Sequence, residues 1–127
     1  MAKVLVVEPD HKLARVYANA LKLRNHQVAL AHTAQDAIVE ADEVKPTVVI
    51  LELQLTAHSG IEFLYEFRSY SDWVKIPVII LSNVPPAEFD ASQKLLNERL
   101  GVVVYLYKPQ TSLQTLLHAV DNAVMAM

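Results

Sequence analysis

"VVILELQLTAHSG", Val48 to Gly60, decides how this chain is read. Val48 to Leu51 is an unbroken aliphatic run, the pattern of a strand covered on both faces. Glu52 interrupts it, and Leu53 resumes it. A carboxylate in such company is either a solvated strand-edge residue or part of a polar site at the strand's carboxyl end. Pro46 marks where the preceding segment stops, and Ser59–Gly60 introduce the next one, "IEFLYEFRSY".

Working outward, short β-branched runs alternate with longer segments of 3.6-residue period. The strands are "KVLVV" (Lys3–Val7), "QVALA" (Gln27–Ala31), "TVVILEL", "IPVIILS" and "VVVYLY". Between them lie four helical patterns, and a fifth follows the last strand. Asp10 and Thr33 are expected to cap the first two helices. In the first, Leu13, Val16, Tyr17, Ala20 and Leu21 share a face. "PAEFDASQKLLNERLG" reads as the fourth helix, with Gly101 as a left-handed C-terminal cap. "TSLQTLLHAVDNAVMAM" is the last, with Leu113, Leu116, Leu117, Val120 and Val124 as its apolar stripe. The final "NAVMAM" reads as core, a dimer seam or a lead into a further domain. Strict alternation of this kind predicts an α/β fold: a doubly wound, five-stranded parallel sheet with five helices, in one domain spanning residues 1–127. Function in such sheets gathers at the carboxyl ends of the strands.

Bulk properties exclude several classes. The chain has 127 residues, 53% hydrophobic and 20% charged, with a formal net charge of -3. Nothing in that balance suggests a nucleic-acid or membrane surface, and no apolar run approaches a membrane span. Cysteine is absent, so disulfides and thiolate metal sites are excluded. A cytoplasmic location is the expectation. The two glycines leave no phosphate-binding loop, which disfavours a flavodoxin-like enzyme. The five histidines (His11, His26, His32, His58, His118) show no close ligand spacing and read as surface residues, with His58 nearest the site.

Other polar residues end strands as Glu52 does: Glu8 after "VLVV", Ser82 after "PVIIL" and Lys108 after "YLY". Two carboxylates alone would repel, and a lysine between them relieves this. Residue type alone leaves open whether Glu8 merely caps a strand, and whether Tyr105 is a core aromatic or a mobile one.

Four stretches in order, "VLVVEPD", "PTVVILELQLTAHSGIEFL", "IPVIILSN" and "GVVVYLYKPQ", resemble the motifs of receiver domains of two-component response regulators. The likeness runs from residue 3 to about residue 125 and implies the flavodoxin-like strand order 2-1-3-4-5. It implies that Ser82 is the switch hydroxyl, Tyr105 the switch aromatic, Lys108 the phosphoryl-binding lysine and Glu8 the first acid of the site. Gln54 would offer its backbone carbonyl to a magnesium ion. It also implies a cis Lys108–Pro109 bond, and a pairing face formed by helix 4, strand 5 and helix 5.

Two central positions depart from the family. Pro9 stands at the second acidic position and cannot ligate a metal. Glu52 stands where the resemblance places the phosphoacceptor aspartate. Its extra methylene moves the carboxylate by about 1.3 Å or more, and a misplacement of about 1 Å can cost on the order of 100-fold. The expectation is a pseudo-receiver, not an enzyme, in which Glu52 pairs with Lys108 and is not phosphorylated. No cofactor is expected, and magnesium binding is expected to be weak or absent. The state is either fixed and active-like, with Ser82 and Tyr105 drawn inward, or an inert scaffold. Lesser departures point the same way: "LTAHSG" lacks a proline, Asn83 replaces a small residue, Val103 and Val104 replace small and acidic ones, and the Ser82–Lys108 interval is longer. The expected partner is another protein: a histidine kinase, an output domain or a second copy. The alternative is a working phosphoacceptor in which Asp10 reaches a metal in place of Pro9.

Overall fold

The computed structural model describes residues 2–56 and 59–126. Among these, five strands form one parallel sheet in the order β2-β1-β3-β4-β5. They are β1 (Lys3–Val7), β2 (Gln27–Ala31), β3 (Val48–Leu51), β4 (Val78–Ser82) and β5 (Val102–Tyr107). The helices are α1 (His11–Leu23), α2 (Ala34–Val44), α3 (Gly60–Ser69), α4 (Gln93–Glu98) and α5 (Leu113–Met125). Fold class and strand order agree with the sequence reading.

Alternation along each strand divides the core in two. Leu5, Val7, Val49, Leu51, Val78 and Ile80 face α2, α3 and α4, meeting Ala37, Phe63, Phe67 and Leu96. Val4, Val6, Val48, Ile50, Ile79 and Leu81 face α1 and α5, meeting Tyr17, Leu21, Leu116 and Val120. Side-chain caps start four of the helices. Asp10 accepts from the Lys12 and Leu13 N–H groups, Thr33 from Asp36, Ser59 from Glu62 and Ser112 from Thr115. On α1 the buried face is Ala14, Tyr17, Ala18 and Leu21, while Val16 points to solvent. On α5, Leu113 is exposed and Leu116, Val120 and Ala123 are buried.

The fourth helix differs from its expected form. Pro86–Ser92 is a 3₁₀ segment, and the α-helix proper covers only Gln93–Glu98. No residue of the 3₁₀ segment is buried, and Phe89 alone packs on the main core. Asp90 and Ser92 are residue types of low helix propensity. Too little burial is available there to support a full helix.

β5 carries an irregularity as it joins β4. Val78 pairs with Val102, but Ile79 pairs with Val104, so Val103 is passed over and turned outward. The shift sets Tyr105 opposite Ile80 and Tyr107 opposite Ser82. Lys108 therefore emerges next to the end of β4. The Lys108–Pro109 bond is trans, contrary to expectation, since the described chain contains no cis peptide. The chain enters a 3₁₀ turn at Lys108–Gln110, closed by the Thr111 N–H on the Lys108 carbonyl at 3.2 Å. Trans is the lower-energy isomer and satisfies that turn.

The lead into β5 is held by Arg68. Its guanidinium donates to the carbonyls of Leu100 (2.9 Å), Trp73 (2.5 Å) and Ile76 (2.5 Å), joining α3 to the approaches of β4 and β5. Gly101 lies against it with φ +68, the left-handed conformation expected. A Cβ at Gly101 would meet Arg68 Nη2 at 2.1 Å. Gly101→Ala should therefore cost about 2 kcal/mol or more, combining left-handed strain with a displaced guanidinium. A urea midpoint indistinguishable from wild type would contradict this.

Candidate functional site

Backbone pairing continues past the ends of two strands and fixes both acids. The Glu8 N–H donates to the Ala31 carbonyl and the Glu52 N–H to the Val7 carbonyl, each at 3.0 Å. Glu8 and Glu52 are each 3% exposed, and Ser82 is fully buried. Glu52 is thus not a solvated edge residue. α3 closes tightly over this end of the sheet. The Gly60 N–H donates to the Leu53 carbonyl at 2.8 Å, and a Cβ on Gly60 would lie 2.7 Å from the Leu53 Cα. Only glycine permits that approach without moving backbone.

The four strand-end residues converge. Lys108 Nζ donates to Glu8 Oε1 at 2.7 Å and to Glu52 Oε1 at 2.8 Å. The Ser82 hydroxyl donates to Glu52 Oε2. Backbone N–H groups complete the set: Gln54 to Glu52 Oε2 (3.2 Å), Asn83 to Glu52 Oε1 (3.3 Å) and Asp10 to Glu8 Oε2 (3.1 Å). Among the described residues, no buried side-chain nitrogen or oxygen lacks a partner. The network is closed, which is the condition under which a buried polar cluster is tolerated.

Tyr105 lies beside it. Its hydroxyl donates to the Val84 carbonyl at 2.6 Å, and its ring packs at 6.0 Å from Phe89. The Val84 N–H donates to Ser82 Oγ at 3.1 Å, so Glu52, Ser82, Val84 and Tyr105 form one connected chain of contacts. Burial pushes the Tyr105 hydroxyl up to about 12, so it remains a donor at neutral pH.

The charges respond to this setting. Burial acts to raise the Glu52 carboxyl, but Lys108, Ser82 and the Gln54 N–H together hold it below its ordinary 4.5. Burial acts to lower Lys108, but the two glutamates hold it above its ordinary 10.5. A lowered carboxyl contributes stability that is complete above about pH 4.5 and lost as pH falls through the folded value; a raised lysine contributes below about pH 10.5 and loses it above. Wild type should therefore exceed Glu52→Gln in urea midpoint at neutral pH, with the gap closing below about pH 4.5. A gap that widens on acidification would contradict the assignment.

The residues do not fit a magnesium ion. Pro9 has no ligating side chain, and Asp10 uses its Oδ1 to cap α1. Both glutamates face Lys108, and Gln54 turns its N–H to Glu52. The alternative reading asks Asp10 to reach a metal in place of Pro9; here Asp10 caps α1. His58 lies outside the described residues.

Two features escaped sequence reasoning. His26 is buried, not superficial: its Nδ1 accepts from the Ala2 N–H at 3.1 Å and its Nε2 lies 3.4 Å from Asp121 Oδ1. His32 is half-buried, with Nδ1 at 2.9 Å from the Glu8 carbonyl oxygen and its ring stacked on His11 at 3.7 Å. Ligand spacing carries no sign of either, because both contacts join residues distant in sequence.

Fold and strand order together define a flavodoxin-like domain with polar residues gathered at the strands' carboxyl ends. Residues 4–121 match the response regulator receiver domain, and the chain belongs to that family. It is 36% identical over 109 residues to the KDP operon transcriptional regulatory protein KdpE of Escherichia coli, covering 86% of this chain and 45% of that protein. It is 28% identical over 126 residues to protein PilH of Pseudomonas aeruginosa, covering 99% of each. The chain spans about half the length of the transcriptional regulators it resembles. Among solved structures, chemotaxis protein CheY4 of Vibrio cholerae superposes with a TM-score of 0.84 at 24% identity, covering 97% of this chain and 98% of that one. Those structures support the fold. No helix among the described residues is long and apolar enough to cross a membrane.

Proposed function

We propose that this receiver domain works without phosphorylation, as a pseudo-receiver signalling through protein–protein contacts. Glu52 takes the place of the phosphoacceptor. The observation that carries this reading is the engagement of both Glu52 oxygens, one by Lys108 and the Asn83 N–H, the other by Ser82 and the Gln54 N–H. A carboxylate nucleophile needs a free lone pair and an in-line path. This one spends its lone pairs on the groups that, by the family resemblance, would receive a phosphoryl group.

The geometry favours the active-like version over the inert scaffold. Ser82 is drawn onto Glu52, and Tyr105 is tied to the same loop through Val84. The longer acid supplies reach and sign, though with less charge than a phosphoryl group. The partner is a protein in the cytoplasm: a histidine kinase, an output domain or a second copy meeting the α4–β5–α5 face, where Val103 is exposed.

Amide NMR tests the reading. Acetyl phosphate with magnesium should leave the Asn83, Val84 and Tyr105 signals of wild type unmoved, whereas Glu52→Ala should move all three. Movement of the wild-type signals on phosphodonor addition would sink the proposal.

A further inference from the structure

We infer that this chain has an interaction surface away from the α4–β5–α5 face. The acidic outer side of α2 and α3 on one copy fits the basic outer side of α1 on another, and copies join head to tail.

The two sides are opposite in charge and in place. α1 packs on one face of the sheet through Tyr17 and Leu21, and α2 and α3 pack on the other through Ala37, Phe63 and Phe67. α1 holds Lys12, Arg15 and Lys22 and no acid. α2 holds Asp36, Glu40, Asp42 and Glu43 and no base. On α3, Glu66 is exposed, while Arg68 is spent on main-chain carbonyls. Exposed apolar side chains stand within both patches: Val16 and Leu23 (86% exposed) on α1, Val39 (57% exposed) on α2 and Tyr65 on α3. Val39 lies one helical turn from both Asp36 and Glu43, and Val16 one turn from Lys12. Apolar side chains ringed by charge are the composition of a contact surface.

Neither patch is neutralised within the chain. Among the described residues, Lys12, Arg15 and Lys22 form no ion pair, nor do Asp36, Glu40, Asp42, Glu43 and Glu66. The acids nearest α1 are engaged, Asp10 in capping the helix and Asp121 with Arg24. The base nearest α2 is Lys45, at its C-cap. Each patch also works against its own helix. Asp42 and Glu43 stand in the last turn of α2, at the negative end of the helix dipole, and Lys12 stands in the first turn of α1, at the positive end. Asp36 and Glu40 are like charges one turn apart. These arrangements disfavour the lone domain and become favourable when opposite charge is brought against them.

Because the patches lie on opposite faces of the sheet, one pair of copies cannot satisfy both at once. The contact is heterologous, and each end of the pair keeps an unused patch for a further copy.

Sedimentation equilibrium tests this. In low salt, the weight-average mass of wild type should rise at least about 1.5-fold between about 20 μM and about 1 mM, and the rise should vanish in about 0.5 M salt, where charges are screened within about 4 Å. Two paired variants make the comparison specific. Lys12→Glu with Arg15→Glu reverses the α1 patch, and Asp42→Lys with Glu43→Lys reverses the α2 patch. The changes at Lys12, Asp42 and Glu43 suit the helix dipoles, so both variants should fold. Each alone should stay monomeric. An equimolar mixture should associate again, because each then presents the charge the other needs. A wild type that stays monomeric at the highest concentration in low salt would overturn the inference. So would association that survives high salt, variants that associate as wild type does, or a mixture no heavier than its parts.

Discussion

Lys108→Met is expected to lower folding stability by about 3–5 kcal/mol. The reason is not the loss of two ion pairs as such. Taking both glutamates out of water is already costly, and the ammonium roughly offsets that cost. Removing it leaves two like charges buried at 3% exposure, with Glu8 Oε1 unpartnered and Glu52 Oε1 left with only the Asn83 N–H. Methionine keeps the length and apolar stem of the lysine, so the wall it gives to the hollow also lined by Leu13 and Leu116 is largely retained. A paired change, Glu8→Gln with Lys108→Met, should recover a substantial part of the loss, because only one carboxylate then lacks its partner. Urea denaturation of the four proteins in the cycle measures this. Equal losses in the single and paired variants would mean that the lysine acts by packing alone.

Phe67→Ala is the second large effect, about 3–5 kcal/mol. Phe67 is fully buried on α3, with its ring 5.4 Å from Phe63 and 5.0 Å from Trp73. The Arg68 guanidinium also lies over it at 5.3 Å. Truncation removes a stacked aromatic and leaves a cavity in the buried cluster it shares with Phe63 and Trp73. A domain of this size has about 5–15 kcal/mol in all, so the loss is a large share of it. Trp73 is the chain's single tryptophan, so its emission reports directly on the altered stack. A shift in urea midpoint under a third of that expected, with unchanged emission, would contradict the packing argument.

Much of this was legible in the residues. Val48 to Leu51 and Val78 to Leu81 could be read as strands because both faces of the sheet are covered and every position is apolar. Asp10, Thr33 and Gly101 were legible because a cap or a left-handed turn restricts residue type locally. Glu8, Glu52, Ser82 and Lys108 were legible because each closes an apolar run, and the structure brings all four together.

What escaped was decided by distant contacts. The break in the fourth helix reflects how little Pro86–Ser92 buries, which no local pattern states. The burial of His26 depends on Ala2 and Asp121, and the Arg68 clamp on carbonyls up to 33 residues away. The outward turn of Val103 follows from a register shift between β4 and β5. The trans Lys108–Pro109 bond belongs to a turn closed by Thr111, where the family resemblance implied the other isomer.

The most direct measurement is intact mass after incubation with acetyl phosphate and magnesium, wild type beside the paired change Pro9→Asp, Glu52→Asp. The account predicts no added phosphoryl mass on wild type and a labile gain on the paired variant. A labile gain on wild type would contradict it, and fragment masses would then show which residue had accepted the group.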